Sequence, residues 1–356
     1  MRIRSQQTTF HSLPEDILSI IVSRLTLKDA VRTSVVSSDW RHIWKYHPIL
    51  RFVISSVLGS KAKRKRSSDQ HKRRLRKRFI DRALRLDSVN LVPSIDFCGF
   101  ANLKMLALDH VLVMQDLQYF LSKCPALEWL SIQRCYLKCN CHASAPLGRL
   151  KYLCVKNCEV DRIEFAAPNL NTFEYRGYQI LIKFHECSKL KMAIIHIIGH
   201  STLEYVFTGL PNAVPHVETL HVETFVDIPK DFPSFRFLNS ALQLACLLEA
   251  APFLEDLHLD MYCFEGVDYI GSALDMIVDS PHYHLKTACM TGFRGNRGQI
   301  ELAKYIMRNA VELERMTIDP RNIMFGRSIG NEFDGRMYAK RELARSEEAR
   351  GVLTIL

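Results

Sequence analysis

Residues 134–142, RCYLKCNCH, gather four side chains that bind zinc-class metals: Cys135, Cys139, Cys141 and His142. Thiolates and imidazole are zinc's preferred ligands, and four of them close a tetrahedral structural site. The spacing argues the other way. Zinc knuckles repeat Cys-x2-Cys so that two tight turns each present a pair of sulfurs, whereas the gaps here are three, one and zero residues. Adjacent residues such as Cys141 and His142 rarely ligate one ion. A second stretch, GFRGNRG with Gly292, Gly295 and Gly298, lacks both the Gly-Lys-Ser/Thr end of a phosphate loop and the Gly-x-Gly-x-x-Gly of a dinucleotide site. It reads as a turn between a strand at 285–290 and a helix beginning near Gln299. In SPHYHLK, His282 and His284 have the alternation of one strand face, with no third ligand nearby. No nucleophile elbow, His-Glu-x-x-His or acid–base pairing is present. The expectation is a chain that is no catalyst and has no metal or cofactor.

The elements that carry these residues belong to a chain of 356 residues, 47% hydrophobic and 24% charged, long enough for one large core or two to three modules. The longest nearly apolar run, SALQLACLLEAAPFL at 240–254, falls short of a bilayer span and reads as a packed helix. Arg2 and Arg4 are followed by no apolar stretch, so neither secretory signal nor membrane anchor is expected, and the expected location is nucleus, cytoplasm or both. Eleven cysteines in a reducing compartment are then mostly free or buried thiols.

The formal net charge of +10 is concentrated in one place. Residues 61–78, KAKRKRSSDQHKRRLRKR, hold eleven Lys and Arg against one Asp, which accounts for all of it and leaves the rest of the chain balanced. A balanced body argues against a basic face that tracks a phosphate backbone, so no nucleic-acid partner is expected. Lys63, Arg64, Lys65, Arg66, Lys72, Arg73 and Arg74 form a candidate nuclear-import signal, with a solvated insertion as the other reading. Leu75, Phe79, Ala83 and Leu84 share a helical face, and a helix at 72–86 is a candidate cap for an exposed core end.

One signature recurs nine times: apolar, two residues, apolar, one residue, apolar. The copies begin at Leu103, Leu127, Leu150, Leu170, Leu190, Val217, Leu254, Leu285 and Leu313, with steps of 24, 23, 20, 20, 27, 37, 31 and 28 residues. These steps straddle the roughly 20–29 residue period of leucine-rich repeats. LEWLSIQRCYL and LKYLCVKNCEV satisfy the full eleven-residue form, with Cys135 and Cys158 at position nine, where the side chain turns inward to form a ladder. Cys135 is thereby withdrawn from any metal site, and Cys139, Cys141 and His142 are left in a variable loop before Leu150. One strand and its return cannot bury their apolar residues alone, so the units must stack into a curved parallel sheet, with LQYFLSKCP and QIELAKYIMRNA as return helices.

Residues 13–50 read as three short helices. Pro14 suits a first helical position, Glu15 and Asp16 the positive dipole end, and Ile17, Leu18, Ile21, Val22 and Leu25 one apolar stripe; Trp40 and Trp44 share a face of the third helix. So small a module buries little surface by itself and is expected to lean on a partner. Leu13-Pro14, Lys28-Asp29-Ala30-Val31, TSVVSSDWRHIW and HPILRF resemble the F-box of plant proteins. FANLKMLALDHVLV, FLSKCPALEWLSIQRC and HYHLKTACMTGFRGNRGQIELAKYIMRNAVELERMTI similarly resemble the repeats and FBD region of the plant F-box/leucine-rich-repeat/FBD family.

The resemblance covers about residues 10–320 and, taken with the charge and periodicity, gives an α/β architecture: a three-helix F-box at 10–50, a basic linker and solenoid cap at 51–92, leucine-rich repeats at 93–280, an FBD region at 281–326 and, outside the resemblance, a C-terminal tail at 327–356. It also implies a substrate receptor of an SCF-type ubiquitin ligase. Leu13, Pro14, Ile17, Leu18, Ile21 and Leu25, supported by Val35 and Trp40, would face the Skp-type adaptor, and through it cullin and RING subunits. The repeats would hold an unidentified protein target, with no membrane partner. The alternative is a nuclear leucine-rich-repeat scaffold with no ligase association.

Overall fold

The computed structural model describes Ile17, Ile20, Ile21, Arg24 and Leu25, then residues 47–53, 100–110, 112–113, 117–137, 141–143, 146–198, 205–210, 213–226, 247–263, 281–321, 323–324, 327–328, 332–345, 349 and 351–356. The chain falls into two compact units, 1–160 with 164–168, and 161–163 with 169–356.

In the first unit, β1 (Ile49–Val53), β2 (Met105–Asp109), β3 (Trp129–Gln133) and β4 (Tyr152–Lys156) pair in parallel, each with the next. The repeat signature sets the register. Leu50, Leu106, Leu130 and Leu153 stand side by side, as do Leu108, Ile132 and Val155, and each of these is at most 1% exposed. Burying one such aliphatic side chain is worth about 1.5–3 kcal/mol. At the eighth repeat position His110, Arg134 and Asn157 take positive φ, of 58°, 51° and 53°. This left-handed step turns the corner while the His110 and Arg134 amides still donate to the Gln133 and Lys156 carbonyls at 3.0 and 2.8 Å.

The second unit repeats the arrangement with β5 (Thr172–Tyr178), β6 (Met192–Ile198), β7 (Thr219–Val226), β8 (Asp256–Cys263), β9 (Thr287–Thr291), β10 (Arg315–Asp319) and β11 (Leu353–Ile355). All pairings are parallel, and Phe173, Ala193, Leu220, Leu257, Ala288 and Met316 form one buried row. Tyr175, Ile195, Val222, Leu259, Met290 and Ile318 form the next. All nine sequence signatures thus coincide with strands β2–β10. β1 and β11 lie outside that series: β1 uses the end of HPILRF, and β11 comes from the segment read only as a charged tail. That segment also supplies α3 (Glu332–Tyr338) and a π-helical turn at Ala339–Leu343.

Repeat length decides what returns the chain. The 28-residue step from Leu285 to Leu313 has room for α2 (Arg297–Asn309), which buries Leu302, Ala303, Ile306 and Met307, and the 24-residue step after Leu103 holds the single-turn-and-a-half α1 (Leu117–Ser122). The two 20-residue steps leave too few residues after the strand segment for a helix. There the return is extended, at Arg162–Ala166 and Leu181–His185. Ile163, Phe165 and Ala167 alternate inward, a period of two that no helix could satisfy.

GFRGNRG is a turn between β9 and α2. Gly292 has φ 71°, and a Cβ there would lie 2.2 Å from the Met261 carbonyl oxygen. The Gln299 side chain holds the turn, accepting from the Arg294 amide at 2.8 Å and donating to the Gly292 carbonyl at 3.2 Å. His282 and His284 are not on a strand as their alternation suggested. The β8–β9 ladder engages only where Lys286 and Thr287 donate to the Glu255 carbonyl, so His282 makes an isolated bridge to Ala310 and His284 is exposed in coil.

Candidate functional site on the outer strand face

Positions four and six of each repeat point into the core, so positions three, five and seven share the opposite face. Within each unit the described pairings keep one register, so like positions of successive repeats stand in columns about 4.8 Å apart.

In the first unit the third-position column contains Trp129 and Tyr152, stacked at 5.1 Å with planes 1° apart. Beside it lie Ser131, Gln133 and Cys154, the Gln133 amide donating to Ser131 Oγ at 3.0 Å. At the strand end Arg134 grips both oxygens of Asp109, at 2.9 and 2.8 Å. This face is largely uncharged and aromatic.

The second unit's face is ionic. His221 on β7 and His258 on β8 are register partners whose rings stack at 4.3 Å and 4°. Asp260 holds both: His221 Nε2 donates to Oδ2 at 2.7 Å, and His258 Nε2 lies 3.0 Å from Oδ1. The second contact is electrostatic, its angles falling short of a hydrogen bond. Burial works to raise the Asp260 carboxyl, but the hydrogen bond from His221 and then the contact with His258 overcome it and hold it well below the usual carboxylate range. The Asp260 carboxylate, and after it the Cys289 thiol on β9, push His258 up to about 10. Thr291 donates to Asp260 and Thr287 to Asp256, while His196 pairs with Glu223 on β7.

The ninth-position cysteines face inward. Cys135 donates to the Gln133 carbonyl at 3.2 Å and Cys158 to the Ile132 carbonyl of the neighbouring strand at 3.5 Å, so position nine does form a buried ladder. Cys141 does not lie in an outward loop. It starts a short strand, Cys141–Ala143, and is fully buried, because its side chain fills the space beside Cys135. Burial, then Cys135, pushes its thiol up to about 12, and the contact with Cys135 and burial raise Cys158 as well. The Cys139 and His142 side chains lie outside what is described.

Of the adaptor-facing positions, Ile17 is helical and 43% exposed, and Ile21 and Leu25 are half-buried; Leu13, Pro14, Leu18, Val35 and Trp40 lie outside the described residues. So do all seven basic positions from Lys63 to Arg74 and the proposed helix at 72–86. Ile20, absent from the sequence reading, is helical and 61% exposed. His47 was also missed. It accepts from the Ile49 amide at Nδ1 and donates from Nε2 to the Leu25 carbonyl, both at 3.1 Å, tying Leu25 to the start of β1. The signal for the histidine cluster was present: TLHVE and DLHLD carry His at position five and an acid at position seven of consecutive repeats.

Residues 76–355 match a family model described as the At1g61320/AtMIF1 LRR domain, and residues 10–52 match the F-box domain. Among curated Arabidopsis thaliana proteins the chain is similar to F-box/FBD/LRR-repeat protein At5g53840, 42% identical over 48 residues, 14% of this chain and 11% of that protein. It is similar to F-box protein At1g60400, 33% identical over 105 residues, 30% of this chain and 22% of that one. In both matches the chain thus spans under a quarter of the relative's length. A longer match, to putative FBD-associated F-box protein At5g56410, is 24% identical over an alignment of 410 positions and covers 85% of this chain and 80% of the other.

Proposed function

The chain belongs to the At1g61320/AtMIF1 leucine-rich-repeat family and carries an F-box ahead of its repeats, and from that premise we propose that it is the substrate-recognition subunit of an SCF-type ubiquitin ligase. The observation that carries this reading is the pairing, in one chain, of an F-box with a parallel strand face built of register-matched side-chain columns. F-box domains generally bind Skp-type adaptors. In this chain the contacts would come from Leu13, Pro14, Ile17, Leu18, Ile21 and Leu25, with Val35 and Trp40 behind them. The exposure of Ile17 and Ile20 supports an interface, since a few buried apolar anchors dominate such contacts.

The chain itself contributes no chemistry in this scheme. It holds a protein target near a ubiquitin-charged enzyme, which converts a bimolecular encounter into a nearly intramolecular one. The outer strand face of each unit would offer a surface to the target, aromatic columns in the first and ionic columns in the second. The protein would act in the nucleus, the cytoplasm or both. The tract Lys63–Arg66 with Lys72–Arg74 would direct import, and neutralising those residues should reduce nuclear accumulation without altering adaptor binding; unchanged localisation would make the tract a solvated insertion.

The test is co-purification of the full chain with a Skp-type adaptor. Replacing Leu13 and Pro14 by Ala should weaken that binding by about thirtyfold or more, since truncating an interface anchor costs about 2 kcal/mol. Far-ultraviolet dichroism should stay near normal. Absence of adaptor binding by the unmutated chain, or equal binding by the variant, would replace the ligase reading with the scaffold reading.

A further inference from the structure

We propose that His221, His258 and Asp260 form a binding site for one divalent transition-metal cation of the zinc class. One ligand atom from each residue lies within 4.8 Å of the others. Tetrahedral zinc with bonds near 2.0–2.2 Å needs ligand atoms about 3.3 Å apart, so the two stacked rings must tilt toward each other to aim their lone pairs at one ion, a movement open to two part-exposed histidines. Asp260 already spans both imidazoles, at 2.7 and 3.0 Å from their Nε2 atoms. A cation between the three would replace those contacts with bonds to the same nitrogens and one carboxylate oxygen.

The backbone preorganises the set. His221 and His258 occupy the same position of consecutive repeats on paired parallel strands, which stacks their rings with planes 4° apart and presents both Nε2 atoms to the one carboxylate. Asp260 is two residues beyond His258 on the same face. Thr291 donates to its Oδ1, the kind of outer contact that fixes a ligating carboxylate. Two imidazoles favour zinc, cobalt, nickel or copper over magnesium or calcium, which prefer oxygen alone. Three protein ligands leave a fourth position directed away from the core, where solvent or a side chain of a bound protein completes the shell. Cys289, the register partner of His258, is a further soft donor beside the site. The site does not depend on the ligase reading, and its test uses no adaptor.

The experiment is a titration of the full chain, stripped of metal, with Zn²⁺ in competition with a chromophoric chelator, and with Mg²⁺ as the hard-ion control. One equivalent of Zn²⁺ should bind, with no saturable Mg²⁺ binding at the same concentrations. His221→Gln and His258→Gln should each weaken Zn²⁺ at least tenfold, and the double variant should lose the equivalent. Cys139→Ser with Cys141→Ser should retain it. X-ray absorption of the zinc-loaded unmutated chain decides the case even if a histidine variant fails to fold: imidazole and oxygen with at most one sulfur supports the site. Two or more sulfurs, no saturable equivalent, equal affinity for Mg²⁺, or retention of the equivalent by the folded double variant would overturn it.

Discussion

The ninth-position cysteines of the first unit and the fifth-position histidines of the second are products of the same device. Each pair comes from consecutive repeats, each pair stands one strand spacing apart, and both residue types bind metals. Their fates differ because one position faces the core and the other faces away. Cys135 and Cys158 are buried and donate to carbonyls, and the contact with Cys135 and then burial raise the Cys158 thiol. His221 and His258 keep part of each ring in solvent, stack, and share a carboxylate. Place in the repeat, more than residue type, decides what chemistry a side chain can do.

The severest way to break this contrast is to carry the outward chemistry inward. Cys158→Asp would bury a carboxyl with no cation to meet it, and should cost about 3–5 kcal/mol or leave the first unit unfolded in urea titrations. Neighbours on one strand give the next comparison. Leu220→Ala opens a cavity in the core row and should cost about 3 kcal/mol, whereas His221→Ala, one residue on, should cost under about 1 kcal/mol by the same denaturation assay. Equal losses would mean the two faces are not distinct. Asp260→Asn removes the shared charge and should cost about 1 kcal/mol, discounted for the solvent that reaches both rings. The smallest effect on stability comes with the clearest readout. Alkylation followed by peptide mass spectrometry should label Cys187 and Cys289 in the native protein, while Cys124, Cys135, Cys141, Cys154 and Cys158 wait for unfolding.

The strand ladder was readable from sequence because its signal is local. Nine apolar triplets each state which residues point inward, and each became a strand. The turn at Gly292 and the helix after it were readable for the same reason. β1 and β11 were not: Ile49–Val53 sits among residues that also suit the end of an F-box, and Leu353–Ile355 is three residues after a charged stretch. Extended returns at Ile163 and Ile182 follow from step length, which the period of each unit discloses only when compared with its neighbours. The histidine cluster needed the same comparison, since His221 and Asp260 are 39 residues apart and meet only through register. In RCYLKCNCH the candidate ligands are close in sequence, whereas in a repeat protein the ligands that converge are one period apart.

The step from Val217 to Leu254 is 37 residues, the longest between successive signatures, yet β7 and β8 pair without slippage over eight residues, from Thr219 with Asp256 to Val226 with Cys263. The pairing is therefore insensitive to how much chain is spliced between the strands. In evolutionary terms the two surfaces of each repeat are decoupled: insertions can accumulate in the returns while the face changes one residue at a time. A descendant could thus acquire a new loop without losing its strand face, or a new face residue without disturbing the loop.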